Sequence, residues 1–188
     1  MEISQLGPIA VSVAVGYLLG SIPVAYLVVR SQGLNILETG NRNPGAANVF
    51  RTVSRPLGAL VLAFDFLKGF LAVTLASVLG VEQTEVTAVA GAAAIAGHWY
   101  PIFFGFRGGA GLATAIGASI AVAPLAGLAA FALGLLIIAT IRNTGYSALV
   151  GYVGFIGLSP LLGTSWEATL AATLLAAMVF LHNIAVRR

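Results

Sequence analysis

Apolar residues run along this chain in long blocks, not at the alternating or helical spacing of a half-buried soluble element. The first block covers residues 6–29 and stops at Arg30. A polar stretch follows over residues 31–56, the longest non-hydrophobic segment and too long for a simple connector. The second block, residues 57–80, carries Asp65 and Lys68, and residues 81–85 hold Glu82 and Glu85 without a base. A third block, residues 86–104, runs into the glycine-rich turn Gly105-Phe106-Arg107-Gly108-Gly109-Ala110-Gly111. Residues 112–141 are then uncharged until Arg142, and blocks over 146–162 and 168–186 complete the chain. Crossing a bilayer takes about 20 apolar residues, so the pattern predicts an all-α polytopic membrane protein built as a single transmembrane domain, residues 1–188.

Composition removes the alternatives. Of 188 residues, 59% are hydrophobic and 8% charged, against about a quarter charged in a soluble domain. Nine basic and six acidic side chains cannot cover a soluble surface of this size, and so apolar a chain is not disordered. At about 20 residues per crossing, the length allows at most roughly seven or eight helices. The absence of cysteine excludes disulfides, thiolate metal sites and cysteine nucleophiles. Two histidines and few acids form no metal-ligand spacing, and no Ser-His-Asp triad can be assembled, so no metal is expected. The net charge of +3 is spread over many loops, a positive-inside pattern and not a nucleic-acid surface. Residues 1–5 contain Glu2 and no base, so they lack the basic region of a signal peptide and the first block is expected to remain a span.

Charge placement then predicts orientation. Arg30, Arg42, Arg51 and Arg55 flank or occupy the first loop, Arg107 the glycine turn, Arg142 a later loop, and Arg187 and Arg188 the end. Glu2, Glu82, Glu85 and Glu167 fall in the opposite set of loops, which has no base. Basic loops face the cytoplasm, which puts the N-terminus outside and the C-terminus inside and demands an odd number of spans. Arg107 and Arg142 are on one side, so residues 112–141 must cross an even number of times. Two short helices of about 22 Å each, broken near Pro124, satisfy this and give seven transmembrane helices. One long tilted helix is the alternative, and it would put Arg142 outside.

Two loops on the cytoplasmic side carry the candidate chemistry. Residues 40–51 contain Gly40, Asn41, Arg42, Asn43, Gly45, Asn48 and Arg51. Glycine lets backbone N–H groups turn toward an anion, asparagine amides donate, and arginine pairs bidentately with phosphate. The second loop holds Arg107, Gly108, Gly109 and Gly111 and opens a helix, whose N-terminus is an anion site in itself. A phosphate-bearing ligand at the membrane surface fits both loops, and so do anionic lipid headgroups. Asp65 and Lys68, three apart on one helix face, are either a structural ion pair or part of the site. His98, beside Trp99-Tyr100-Pro101, fits an interfacial histidine within an aromatic belt better than a base.

The order of five segments, residues 20–27 (Gly-Ser-Ile-Pro-Val-Ala-Tyr-Leu), the 40–51 loop, Asp65-Phe66-Leu67-Lys68-Gly69, Gly97-His98-Trp99-Tyr100-Pro101 and residues 106–114, resembles the bacterial acyl-phosphate:glycerol-3-phosphate acyltransferases. The resemblance covers nearly the whole chain and includes Asn183-Ile184 near the end. It implies seven transmembrane helices in the plasma (inner) membrane with the N-terminus outside. It also implies acyl transfer from acyl phosphate to glycerol 3-phosphate, giving lysophosphatidic acid for phospholipid biosynthesis without a cofactor. The family's site is a cytoplasmic phosphate pocket in which substrate phosphate assists deprotonation, so no catalytic side chain is assigned. Asn43, Gly45, Asn48, Arg51, Arg107, Gly108, Gly109, Gly111 and Asn183 match the family's site pattern, and Thr144 and Ser147 resemble its Ser-x-x-Ser pair. Asn41 stands for a serine, Arg42 for a glycine, Ala47 for a threonine, Ala110 for the glycine-loop lysine and Phe180 for a histidine. His182 is two positions on, about 200° around a helix. Arg42 is a candidate to replace part of the missing lysine charge. These departures leave two readings of one fold: an acyltransferase with a remodelled pocket, or a non-catalytic relative that binds lipid or a phosphate ligand.

Overall fold

The computed structural model describes residues 6–79 and 84–186, so Glu2, Glu82, Arg187 and Arg188 lie outside the described residues, as does the side chain of Glu85. Nine α-helices are described: α1 Leu6–Gly20, α2 Val24–Arg30, α3 Ala46–Thr52, α4 Arg55–Val78, α5 Thr84–Trp99, α6 Leu112–Val122, α7 Pro124–Ile141, α8 Thr144–Leu158 and α9 Trp166–Val186. Five stretches are long and apolar enough to cross a membrane: Leu6–Arg30, Arg55–Val78, Val86–Phe104, Pro124–Ile141 and Trp166–Val186. The helices Leu112–Val122 and Thr144–Leu158 are apolar but shorter.

Local chemistry sets the breaks. The first block is two helices, because Pro23 (φ −87°, ψ 67°) leaves helical geometry and lacks an N–H to continue the ladder. The uncharged run 112–141 divides at Ala123 (φ −138°, ψ 78°), with Pro124 opening α7 where its missing N–H costs nothing. The helix of the third block stops at Trp99, and Pro101 leads into a single 3-10 turn, Ile102–Phe104. The polar stretch is not all loop; Gly45 opens the two-turn helix α3.

Helices pack through small residues. A Cβ at Gly69 on α4 would strike the Thr114 carbonyl on α6, and one at Gly117 the Phe66 carbonyl in return. Gly16 and Gly20 of α1 sit against the Ala90 and Ala94 carbonyls of α5. Such close backbone approach replaces the hydrophobic drive that lipid cannot supply. Val73, Ile95, Trp99, Ala115, Ala118, Leu175 and Val179 form the central cluster between α4, α5, α6 and α9. Larger apolar side chains point outward, as Leu125, Leu128, Leu135 and Leu136 do on α7 while Ala126, Gly127 and Ala130 face in. A second cluster, Ala25, Val29, Ile36, Val49 and Val61, ties the polar stretch to α2 and α4 and so fixes the first candidate loop.

Candidate phosphate-binding cleft

The first loop is built around Asn48. Its Oδ1 accepts from the Asn41 N–H (3.2 Å), and its Nδ2 donates to the Thr39 and Asn43 carbonyls (2.9 and 3.1 Å). Thr52 Oγ1 donates to the Asn48 carbonyl (2.8 Å). Asn48 is buried and shapes the loop from within. Asn41 Oδ1 accepts the Asn43 N–H (3.2 Å), and Gly40 has the left-handed φ of 59° that the packing of Asn48 Oδ1 over it requires. Arg42 takes a left-handed φ of 62° at the position where the resembling family has glycine, so the turn survives the change of residue. Arg42 and Arg51 are exposed.

The glycine turn folds back on the end of α5. The Gly108 N–H donates to the Trp99 carbonyl (3.0 Å) and the Gly109 N–H to the His98 carbonyl (3.3 Å). These two N–H groups therefore hold the turn and do not point at a ligand, contrary to the cradle expected from the glycine pattern. Both glycines are needed for close approach: a Cβ at Gly109 would lie 2.6 Å from the Pro44 carbonyl oxygen and 2.7 Å from His98 Nε2. Gly111 (φ 82°) caps α6 with no side-chain hydrogen bond, leaving the first N–H groups of that helix without intrahelical partners.

Separate segments meet here. Pro44 of the first loop touches Gly109 of the turn. Asn183 Nδ2 on α9 donates to the Ala110 carbonyl (2.9 Å) and to the Val179 carbonyl (2.8 Å), and Trp99 Nε1 donates to the same Ala110 oxygen (3.1 Å). Arg51 Nη2 donates to Thr144 Oγ1 at the start of α8 (3.1 Å). Ser147 is buried and donates to the Asn143 carbonyl (2.7 Å), a cap contact within its own helix. A narrow cleft of about 20 Å³ opens between the α1–α2 break, α4, the end of α5, Pro44 and the glycine turn, lined by Ile22, Pro23, Tyr26, Pro44, Asp65, Lys68, His98, Phe104, Arg107, Gly108 and Gly109.

Asp65, Lys68 and His98 form the floor of that cleft. Lys68 Nζ lies 2.8 Å from Asp65 Oδ1 and donates to the Ile22 carbonyl (3.3 Å) at the α1–α2 break. His98 Nδ1 is 3.6 Å from Asp65 Oδ1 and 3.4 Å from Thr114 Oγ1. Arg42, by contrast, is not among the cleft's lining residues. Two residues outside the sequence-derived set, Trp99 and Tyr100, organise this end. The His182 ring stacks on Trp99 at 3.8 Å between centroids, and its Nε2 is 3.2 Å from the Tyr100 hydroxyl. His182 thus packs on the aromatic belt, and Phe180 turns edge-on to Tyr152 (5.9 Å). The aromatic run 99–100 was the available signal, but only the fold shows which groups it reaches.

Helices of this length and apolarity, closed around a cationic cleft at one end, define an integral membrane protein of the polytopic helical class. The profile of the family described as glycerol-3-phosphate acyltransferase matches residues 10–188. A glycerol-3-phosphate acyltransferase of Geobacter sulfurreducens is 45% identical over 137 residues, 73% of this chain and 70% of that protein. One from Thioalkalivibrio sulfidiphilus is 40% identical over 179 residues, covering 92% and 85% of the two chains. The crystal structures of PlsY, an integral membrane glycerol 3-phosphate acyltransferase, in glycerol 3-phosphate and lysophosphatidic acid forms, superpose with TM-scores of 0.82 and 0.81. Each is 31% identical and covers 94% of this chain and 90% of its own. This chain belongs to the glycerol-3-phosphate acyltransferase family.

Proposed function

We propose that the protein transfers an acyl group from acyl phosphate to the sn-1 hydroxyl of glycerol 3-phosphate at the cytoplasmic face of the plasma membrane. The hydroxyl oxygen bonds to the acyl carbon, the carbon–oxygen bond to phosphate breaks, and the departing phosphate takes the proton. Lysophosphatidic acid and inorganic phosphate result, no cofactor enters, and the product feeds phospholipid synthesis. The observation that carries this reading is the junction of Pro44, Gly109, Ala110 and Asn183 over a cleft that also holds Arg107. Arg107 and the open N-terminus of α6 bind phosphoryl oxygen, and the hydrogen-bonded Arg51 and Thr144 are further candidate donors. Asn41, Arg42, Asn43 and Gly45 belong to the loop whose Pro44 lines the cleft, while Asn48, Gly108, Gly109, Gly111 and Ser147 hold the geometry. Asn183 uses both amide hydrogens on the Ala110 and Val179 carbonyls, so it offers a substrate only its Oδ1, an acceptor suited to a hydroxyl and not to phosphate.

The same reading makes the chain one transmembrane domain, residues 1–188, with seven crossings, an outside N-terminus and a cytoplasmic C-terminus. Both ends of the 112–141 run support it, because Ala110 is bonded to Asn183 and Thr144 to Arg51 at the same end of the bundle. The run leaves the site and returns to it.

Purified protein in lipid, given palmitoyl phosphate and glycerol 3-phosphate, will form lysophosphatidic acid, and Ala110→Lys will lower KM by about tenfold through one added charged contact. Absence of product from the parent with product from the variant would show a binding protein that has lost the chemistry.

A further inference from the structure

We propose that Lys68 is a ligand-binding residue of this cleft and donates directly to a phosphoryl oxygen of the bound substrate. The inference rests on the reading of the cleft as the acyltransferase site. Lys68 is 5% exposed, yet it lines the cleft together with Arg107, and these are the two cations among its lining residues. An ammonium has three N–H bonds. Two have partners, Asp65 Oδ1 and the Ile22 carbonyl, which fix the nitrogen from two sides. The third remains for a ligand. Ala110, on the turn, brings no charge, so a phosphoryl group between the turn and the α1–α2 break meets Arg107 on one side and Lys68 on the other.

A purely structural pair accounts poorly for this placement. Buried ion pairs stabilise little compared with apolar residues of equal volume, and the rest of the buried α4 face uses Gly58, Val61, Gly69, Ala72, Val73 and Ala76. Ionisable groups at membrane depth mark ligand paths. Asp65 neutralises Lys68 while the cleft is empty and holds its stem in place. His98 Nδ1 on α5 lies 3.6 Å from the same carboxylate oxygen and 3.4 Å from Thr114 Oγ1 on α6, so the pair is held from several elements and the nitrogen loses little freedom on binding.

Parent, Lys68→Met, Asp65→Asn, the Asp65→Asn/Lys68→Met double and Arg107→Ala are compared in lipid nanodiscs. KM is measured for glycerol 3-phosphate and for palmitoyl phosphate separately, Kd for each by calorimetry, and unfolding temperature alongside. The double variant is uncharged on both sides, so it keeps the fold even where Lys68→Met alone leaves Asp65 unpaired. The expected result is a rise of about tenfold or more in KM and Kd of one substrate in both variants lacking Lys68. The substrate affected identifies whose phosphoryl group it holds. Asp65→Asn keeps the cation, removes a competing acceptor, and leaves the constants equal or lower. Recovery of the parent's constants in the double variant overturns the proposal and makes the pair structural. Unaltered constants in Arg107→Ala would instead remove the cleft as the phosphate site.

Discussion

Arg42 holds a backbone geometry that suits glycine. A left-handed φ of 62° costs a residue with a Cβ about 1–2 kcal/mol, and nothing in its own loop requires the side chain. The proposed site offers a reason: Arg42 is an exposed cation on the loop whose Pro44 lines the cleft, and the cleft's glycine turn has alanine at position 110. Arg42→Gly is therefore expected to raise stability by about 1 kcal/mol and to raise the KM of a phosphate substrate together with it. The KM effect shrinks in high salt, because an exposed charge is screened. Thermal unfolding and kinetics at two salt concentrations check both halves; an unaltered KM removes Arg42 from the proposed site. At this scale the sequence was half legible. It singled out Asn48 and Asn183 as candidates, but could not show that Asn48 faces its own loop or that Asn183 turns both donors inward. Amide partners depend on chain segments up to 73 residues away, and residue spacing does not carry that information.

Helix packing decides how the cleft is held open. The α4–α6 and α1–α5 contacts are backbone against backbone, with Gly69, Gly117, Gly16 and Gly20 at the touching points. A side chain there must separate the helices, and α4 and α6 carry Lys68 and the open N-terminus of the site. Gly117→Leu is expected to cost about 3 kcal/mol and to weaken substrate binding in whatever protein remains folded. Gly157→Leu on α8, where a Cβ meets nothing within 4 Å, is the matched control and leaves unfolding unchanged. Equal destabilisation of the two by heat would refute the packing account. The blocks of apolar sequence located these helices well, and the break before Pro124 was readable because charge placement demanded a hairpin. The break at 21–23 was not. Ser21-Ile22-Pro23 is too short and apolar to interrupt a hydropathy block, although Pro23 alone carries the local signal, and the Ile22 carbonyl that receives Lys68 emerges there.

The whole molecule turns on which ends lie together. Starting from the site, α4 leaves and α5 returns, α6 leaves and α7 returns, α8 leaves and α9 returns, while α1 arrives from the far end through α2. Side-chain bonds tie the returning ends at one level, Asn183 to Ala110 and Arg51 to Thr144. The seven crossings proposed above include α6, which has 11 residues and spans only about 16 Å. So short a helix can cross only within the shelter of its neighbours, and α6 has that shelter: Thr114, Ala115, Gly117, Ala118, Ser119 and Ile120 are buried. The chain contains no cysteine, so single substitutions report sidedness without background. Gln32→Cys and Gly145→Cys, both exposed near the site, should react with a membrane-impermeant maleimide only in inverted vesicles. Leu161→Cys, 80% exposed beyond α8, should react only in intact spheroplasts. Labelling of Gly145→Cys from the side opposite Gln32→Cys would mean that 112–141 crosses once, and Arg51 could then not reach Thr144.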